Sequence, residues 1–116
     1  MSDPIRERER AFEAKYEHDE ALRFRVLTRR NKLFGLWIAG ETGLSGPDAD
    51  AYAHDLIEYD LVHAGAAAPD LIAKAQSDLS RKGIEMSRHR LELRLAKLLH
   101  EAEAQVNAEL VGKPVH

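Results

Sequence analysis

The spacing of apolar residues between positions 24 and 38 is the feature that most restricts the fold of this chain. Residues at successive intervals of three and four lie on one face of an α-helix, and here they are Phe24, Leu27, Asn31, Phe34 and Ile38, with Val26, Leu33 and Trp37 beside them. Helical spacing continues towards the C-terminus, and no stretch alternates apolar and polar residues as a strand would. The pattern predicts an all-α protein.

Glycine, proline and small polar residues divide this pattern into four predicted helices. Gly40 and Gly43 are predicted to end the first helix, because glycine readily adopts the left-handed backbone of a helix end. The other predicted boundaries are Ser45 to Gly65 with Pro47 in the first turn, Pro69 and Asp70 to Gly83, and Ser87 to Gly112 and Pro114. Linkers this short favour antiparallel neighbours, so we predict a compact four-helix bundle over residues 21–112 and a disordered tail over 113–116.

The apolar stripes of the last three helices predict which residues are buried. They are Ala49, Tyr52, Ala53, Leu56, Ile57 and Ala64 in the second helix, Leu71, Ile72, Ala75 and Leu79 in the third, and Leu91, Leu95, Leu98, Ala102 and Val106 in the fourth. In the first helix, Asn31 is interpreted as a buried residue that fixes helix register. Gly35 indicates a close helix crossing, and Trp37 is predicted to be a core residue.

Residues 1–20 differ from the rest of the chain. Between residues 5 and 20, Ile5, Phe12 and Tyr16 are the only large apolar side chains among densely mixed charges, too few to dock this segment tightly on its own bundle. We therefore predict a flexible, partly helical N-terminal arm that orders against a partner, with Phe12 and Tyr16 as anchors one turn apart. The alternative is an extension that stays in solvent.

The composition excludes several kinds of chemistry. The chain has no cysteine, which excludes disulfides, cysteine-ligated zinc and thiol catalysis. The formal net charge of −3 gives no overall attraction to nucleic acid or anionic lipid. No apolar run approaches the roughly 20 residues that span a bilayer. Because no apolar stretch follows Met1-Ser2-Asp3-Pro4, we expect no signal peptide and a cytoplasmic location.

No motif of catalysis or metal binding is present, so we predict that the protein is not an enzyme. The glycine-rich segment 40–46 lacks the Lys-Ser/Thr of a P-loop and is interpreted as an interhelical loop. No two of the six histidines are four residues apart, and HExxH is absent. Arg29, Arg30 and Lys32 invite a nucleic-acid hypothesis, but they project in different directions around a helix. Carboxylates of the second helix form a solvated face or an acidic docking surface: Asp48, Asp50, Asp55, Glu58 and Asp60.

Longer stretches of the chain resemble a known family. These stretches are Arg8-Glu9, Phe12-Glu13-Ala14-Lys15-Tyr16, His18-Asp19-Glu20 and, most specifically, Arg29-Arg30-Asn31-Lys32-Leu33-Phe34-Gly35-Leu36-Trp37. Together they resemble the zeta subunit family of α-proteobacteria, the small inhibitor of the F-type ATP synthase. The similarity continues through Gly43-Leu44-Ser45-Gly46, Ala51-Tyr52-Ala53 and Ala64-Gly65.

The resemblance implies a regulatory four-helix bundle whose N-terminal segment enters a catalytic α/β interface of the synthase head. There it would fold against the head and the central rotor and block rotation in the direction of ATP hydrolysis. The residues assigned to this inhibitory arm are Arg6, Glu7, Arg8, Glu9, Arg10, Phe12, Glu13, Lys15 and Tyr16. The aromatic side chains would fill an apolar cleft, while the charges pair with polar groups around it.

The same resemblance sets expectations for partners and ligands. The protein is expected to be a monomer when free, and peripheral to the inner membrane through the synthase. We expect no bound nucleic acid, no direct membrane insertion and no required cofactor. The alternative function is a small helical module that binds ADP or ATP, with weak affinity for purine nucleotides and little or no inhibitory activity.

Overall fold

The computed structural model describes residues 19–63 and 70–112, which form four α-helices. They are α1 (Glu20–Glu41), α2 (Gly46–Val62), α3 (Leu71–Arg81) and α4 (Arg88–Leu110). Within those two ranges there is no strand. The predicted all-α bundle is therefore confirmed. The predicted tail over 113–116 and all but the last two residues of the predicted arm lie outside the described residues.

Short polar side chains begin three of the helices. The side chains of Asp19, Asp70 and Ser87 cap α1, α3 and α4. They accept hydrogen bonds, at 2.9 to 3.1 Å, from the backbone amides of Leu22, Ala73 and Arg90 respectively. Each satisfies an amide that the first turn of a helix leaves without a partner. Ser45 occupies the predicted cap position of α2 in an extended conformation, but its side chain makes no capping hydrogen bond.

Glycines in the left-handed conformation follow three helices. Gly43, Gly83 and Gly112 have φ values of 84°, 77° and 72°. Gly40, by contrast, lies inside α1, so the prediction that it helps to end this helix was wrong, and Gly43 alone supplies the reversal. The helix α2 ends at Val62, and the predicted end at Gly65 lies outside the described residues.

The helix α1 is the centre of the bundle and packs most extensively against α2 and α4. It is antiparallel to α2, since Asn31 lies opposite Asp60 and Gly35 lies against Ala53. A Cβ atom added to Gly35 would lie 2.6 Å from the Ala53 Cα, so the predicted close helix crossing is confirmed. The absence of a side chain at Gly35 allows the two backbones to touch.

The core contains two apolar clusters. The larger joins all four helices through fully buried side chains such as Phe34, Leu56, Leu79 and Leu91. The smaller lies between α1 and α4 and consists of Val26, Leu99, Ala102 and Val106. The predicted stripes of α3 and α4 are buried throughout, as are Ala49, Ala53 and Leu56 of α2.

Several residues predicted to be buried are not. Phe24 is 54% exposed, and the residues that are only partly buried are Leu27, Leu33, Trp37, Tyr52 and Ile57. The exposure of Phe24 has a simple cause. Asn31 pairs with Asp60 of the antiparallel helix α2, which ends two residues later at Val62. Phe24 lies two turns before Asn31, so it extends past the end of α2.

The connection from α3 to α4 differs from the antiparallel hairpin that a short linker favours. Residues 82–87 run back along α3, where the Gln76 side-chain amide donates to the Met86 carbonyl at 3.1 Å and the Met86 side chain is buried. Arg88 then contacts Asp70 at 2.9 Å, so α4 begins beside the start of α3. Burial of Met86 favours this path of the linker, which its length alone does not reveal, and the exposed ion pair adds a contact at its end.

Candidate functional site

The inhibitory arm assigned from the resemblance falls between residues 6 and 16, outside the described residues, and its role stays a prediction. The structure describes the point where the arm joins the bundle. There Asp19 caps α1 through its side chain, 2.9 Å from the Leu22 amide. Because Asp19 supplies this cap, α1 begins at a defined residue.

A cluster of polar side chains holds this end of α1 to the last turn of α4. The Glu109 carboxylate forms ion pairs with Arg25 and Arg29, each with an N–O distance of 2.7 Å. The Arg29 guanidinium also donates a hydrogen bond to the Gln105 side chain at 3.0 Å. We call Arg25, Arg29, Gln105 and Glu109 the Glu109 cluster. It lies within about three turns of the arm and orients the first part of α1 against α4.

The basic motif of α1 does not form one surface. Arg29 belongs to the Glu109 cluster, and the Arg30 Nε donates to the Asn31 side-chain oxygen at 3.1 Å. Lys32 lies on the side of α1 that faces α2, beside Asp50 and His54. These positions agree with the interpretation that the three cations point in different directions.

Acid is expected to destabilise the bundle through Asp70 and Glu109. Hydrogen bonds from Arg88 and then from the Ala73 amide hold the pKa of Asp70 below its ordinary 3.8, and those from Arg29 and Arg25 hold the pKa of Glu109 below its ordinary 4.5. Because both pKa values are lower in the folded than in the unfolded chain, the stabilisation is complete above the ordinary values. It is lost as the pH falls through the folded-state values.

The measurement is the midpoint of thermal unfolding between about pH 3 and pH 7, followed by circular dichroism. The midpoint of the wild-type chain should fall more steeply in the acid range than that of a chain carrying Asp70→Asn and Glu109→Gln. Equal pH dependence in the two chains would contradict the assignment.

A second polar network links α2 to α3. The Tyr52 hydroxyl donates to the Asp78 carboxylate at 2.6 Å, and the Lys74 ammonium contacts Asp78 at 3.1 Å and Asp55 at 3.3 Å. Burial, followed by the hydrogen bond and charge of Asp78, raises the pKa of Tyr52 far above its ordinary value. Burial opposes the charged form of Lys74, but Asp78 and then Asp55 raise its pKa overall, so the lysine stays charged.

Sequence reasoning missed this network. It treated Tyr52 as an apolar core residue. It placed Asp55 correctly on the exposed face of α2 but did not predict its contact with Lys74. The available signal was Lys74, the only basic residue between positions 41 and 80, which stands four residues before Asp78.

The acidic residues of α2 divide into two groups. Asp48, Asp50, Asp55 and Glu58 are exposed, as a solvated face requires. Asp60 is partly buried and accepts a hydrogen bond from Asn31 at 2.9 Å, so its assignment to that face was wrong. The same bond supports the interpretation of Asn31, which is 2% exposed and ties α1 to α2 in one register.

An open groove lies between α1 and the first half of α4. It has a volume of about 190 Å³ and is lined by Trp37, Arg90, Leu93, Arg94 and Lys97. The Arg94 guanidinium lies 4.9 Å from the centre of the Trp37 ring. The Trp37 ring also stacks on Phe34, with 6.1 Å between the ring centres. Trp37 was predicted to belong to the core; it packs against the core through one face and borders this α4 groove with the rest.

Residues 19–63 and 70–112 contain neither a metal-ligand cluster nor a membrane-spanning helix. No group of three or more histidine and acidic side chains in these ranges is arranged to hold a metal ion. The glycine-rich segment 40–46 forms the end of α1, a turn and the start of α2, in agreement with its interpretation as a loop between helices. In the same ranges, no helix is both long and apolar enough to cross a bilayer.

The four helices, packed around an apolar core and joined at the surface by interhelical ion pairs, define a small all-α protein of the helical-bundle class. The chain matches the family model described as ATPase inhibitor subunit zeta over residues 1–105, and it belongs to that family. The resemblance found in the sequence is thereby confirmed, and the protein is a regulatory subunit, not an enzyme. No curated protein matches the chain.

Proposed function

We propose that this protein inhibits ATP hydrolysis by the F-type ATP synthase through its N-terminal arm. Residues 6–16 become helical within a catalytic α/β interface of the head and contact the central rotor, while the bundle remains outside. This contact blocks rotation in the direction of hydrolysis and largely spares synthesis. The protein then acts in the cytoplasm, peripheral to the inner membrane through its partner.

The observation that carries this proposal is the match to the inhibitor family, which extends over residues 1–105 and so includes the arm. The fold agrees with it. Phe34, Ile38, Leu56 and Leu91 are completely buried in the bundle, and Asp19 caps the start of α1.

The composition of the arm fits a cleft between two subunits. Phe12 and Tyr16 are four residues apart, which is one turn of a helix, and aromatic residues are enriched at protein interfaces. The arginines around them, Arg6, Arg8 and Arg10, can form charge-assisted hydrogen bonds with carboxylates of the cleft. Ordering the arm costs conformational entropy, which this contact area must offset.

Deletion of residues 1–18 is expected to abolish inhibition and leave the bundle folded. The deletion should retain Asp19, because its loss would remove the cap of α1 and confuse the result. The measurement is the rate of ATP hydrolysis by the cognate synthase with increasing amounts of full-length and shortened protein. Circular dichroism of the shortened protein is the control for folding.

A pair of point variants tests the anchors within the full chain. Phe12→Ala with Tyr16→Ala should raise the concentration needed for half-inhibition by roughly a hundredfold, since each anchor contributes more than 1 kcal/mol. The matched control is Phe24→Ala, because Phe24 is an aromatic residue of α1 that is already 54% exposed. The arm assignment fails if the shortened protein inhibits as strongly as the intact one.

A further inference from the structure

The α4 groove carries cations that the described part of the chain leaves without anionic partners. Arg90, Arg94 and Lys97 recur at intervals of four and three residues, so they share one face of α4 over about 10 Å. Arg94 stacks on Trp37, whereas Arg90 and Lys97 form no ion pair with any residue in 19–63 or 70–112. None of the described side chains that line the groove is acidic.

Arg90 is placed unfavourably with respect to the dipole of its own helix. The N-terminal end of a helix is positive, and α4 has no acidic residue in its first turn. Arg90 adds a positive charge to that turn, and Arg94 follows one turn later. A negatively charged partner beside Arg90 would offset this effect and would also interact favourably with the helix end.

The shape of the groove favours a macromolecule over a small ligand. Sites for small molecules usually enclose about 300–1,000 Å³ and bury most of the ligand. The α4 groove has about 190 Å³, is open, and is bordered by Leu93, which is 51% exposed. A row of cations beside an exposed leucine and an indole is complementary to an amphipathic helix that carries acidic and apolar side chains.

We propose that the α4 groove is a second docking site for the ATPase and binds an acidic helical segment of it. Carboxylates of that segment pair with Arg90 and Lys97, and an apolar side chain packs between Leu93 and Trp37. The stacking of Arg94 on Trp37 holds the guanidinium in place before binding. This inference rests on the proposed function, because the same partner is inhibited by the arm.

The location of the groove gives the second contact a purpose. Trp37 lies 18 residues after Asp19, so the groove and the root of the arm are about 27 Å apart along α1. Two attachments at that separation make the second binding event intramolecular, which raises affinity without a stronger arm. The bundle therefore increases the residence time of the inhibitor, and the arm causes the inhibition.

The test compares two full-length double variants with the same change in net charge. Arg90→Glu with Lys97→Glu reverses the groove, and it should preserve folding because Glu at position 90 suits the first turn of a helix. Lys32→Glu with Lys82→Glu is the control on exposed residues outside the groove. The dissociation constant for the isolated ATPase and the inhibition at saturation are measured at two salt concentrations.

The groove variant is expected to bind at least roughly tenfold more weakly than the control, with a smaller difference at high salt. Its inhibition at saturation should equal that of the wild-type chain, because the arm is intact. Equal affinity of the two variants would overturn the docking site. Failure of the wild-type chain itself to inhibit would instead contradict the proposed function.

A titration of the free chain with MgATP distinguishes the other class of ligand. Trp37 is the only tryptophan, so its fluorescence reports occupation of the groove directly. The docking proposal expects little change in emission. If MgATP alters the emission, and reversal of the groove removes that change but leaves the affinity for the ATPase intact, the groove is a nucleotide site and the docking proposal is wrong.

Discussion

Replacement of Gly35 by alanine is expected to lower the free energy of unfolding by about 3 kcal/mol, a large share of the roughly 5–15 kcal/mol typical of a small domain. The new Cβ would lie 2.6 Å from the Ala53 Cα and 3.0 Å from its Cβ. The first of these atoms belongs to the backbone of α2, which can move away only by separating the two helices. The midpoint of thermal unfolding should fall by about 10–20 °C.

The matched control is Gly40→Ala, in the same helix. Gly40 has helical geometry, and a Cβ there would meet nothing within 4 Å. Alanine should therefore raise stability by up to about 1 kcal/mol through its better helix propensity. Urea denaturation of both variants measures the difference. A shift of the same sign in the two would show that helix propensity, and not the contact with Ala53, governs position 35.

The second large effect is expected from Asp78, at the centre of the network between α2 and α3. Asp78→Ala removes the acceptor of the Tyr52 hydroxyl and the shorter of the two ion pairs of Lys74. The side chain of Lys74 is only 16% exposed, so its charge would be left poorly compensated. We expect a loss of about 2–4 kcal/mol, somewhat below the cost of breaking a fully buried pair because Asp55 remains.

Two further variants make this prediction specific. Tyr52→Phe removes one hydrogen bond and should cost about 1 kcal/mol, and its combination with Asp78→Ala should cost less than the sum of the two. Asp50→Ala, at an exposed carboxylate of α2, should change stability by less than about 0.5 kcal/mol. If Asp78→Ala is no more harmful than Asp50→Ala in urea denaturation, the network contributes little and packing alone holds α3.

Two sets of interactions position α1 against its neighbours. Asn31 and Gly35 fix the register of α1 against α2, and the Glu109 cluster fixes the start of α1 against α4. A helix held at both levels can support a load on its N-terminal extension without shifting. In the proposed mechanism this rigidity lets the bundle hold the arm in place while the rotor pushes against it.

The local features of this fold could be predicted from the sequence. Asp70 and Ser87 cap their helices, and Gly43 and Gly83 reverse the chain after theirs, because a cap or a left-handed turn depends on a few neighbouring residues. The apolar period identified the buried faces of α3 and α4 for the same reason. The candidate arm residues came from the resemblance to the inhibitor family. The match over residues 1–105 shows that the chain belongs to that family.

Periodicity identifies an apolar face but does not reveal what covers it. For that reason only the tertiary structure showed that Phe24 extends past the end of α2 and that Trp37 borders a groove. The return of residues 82–87 along α3 likewise depends on burial of Met86. Over residues 19–63 and 70–112, the sequence by itself determined the four helices and the residues that bound α3 and α4, since these follow from contacts a few residues apart. Folding decided which distant charges meet, as in the pairing of Tyr52 with Asp78 and of Arg25 with Glu109, because those partners are brought together only by helix packing.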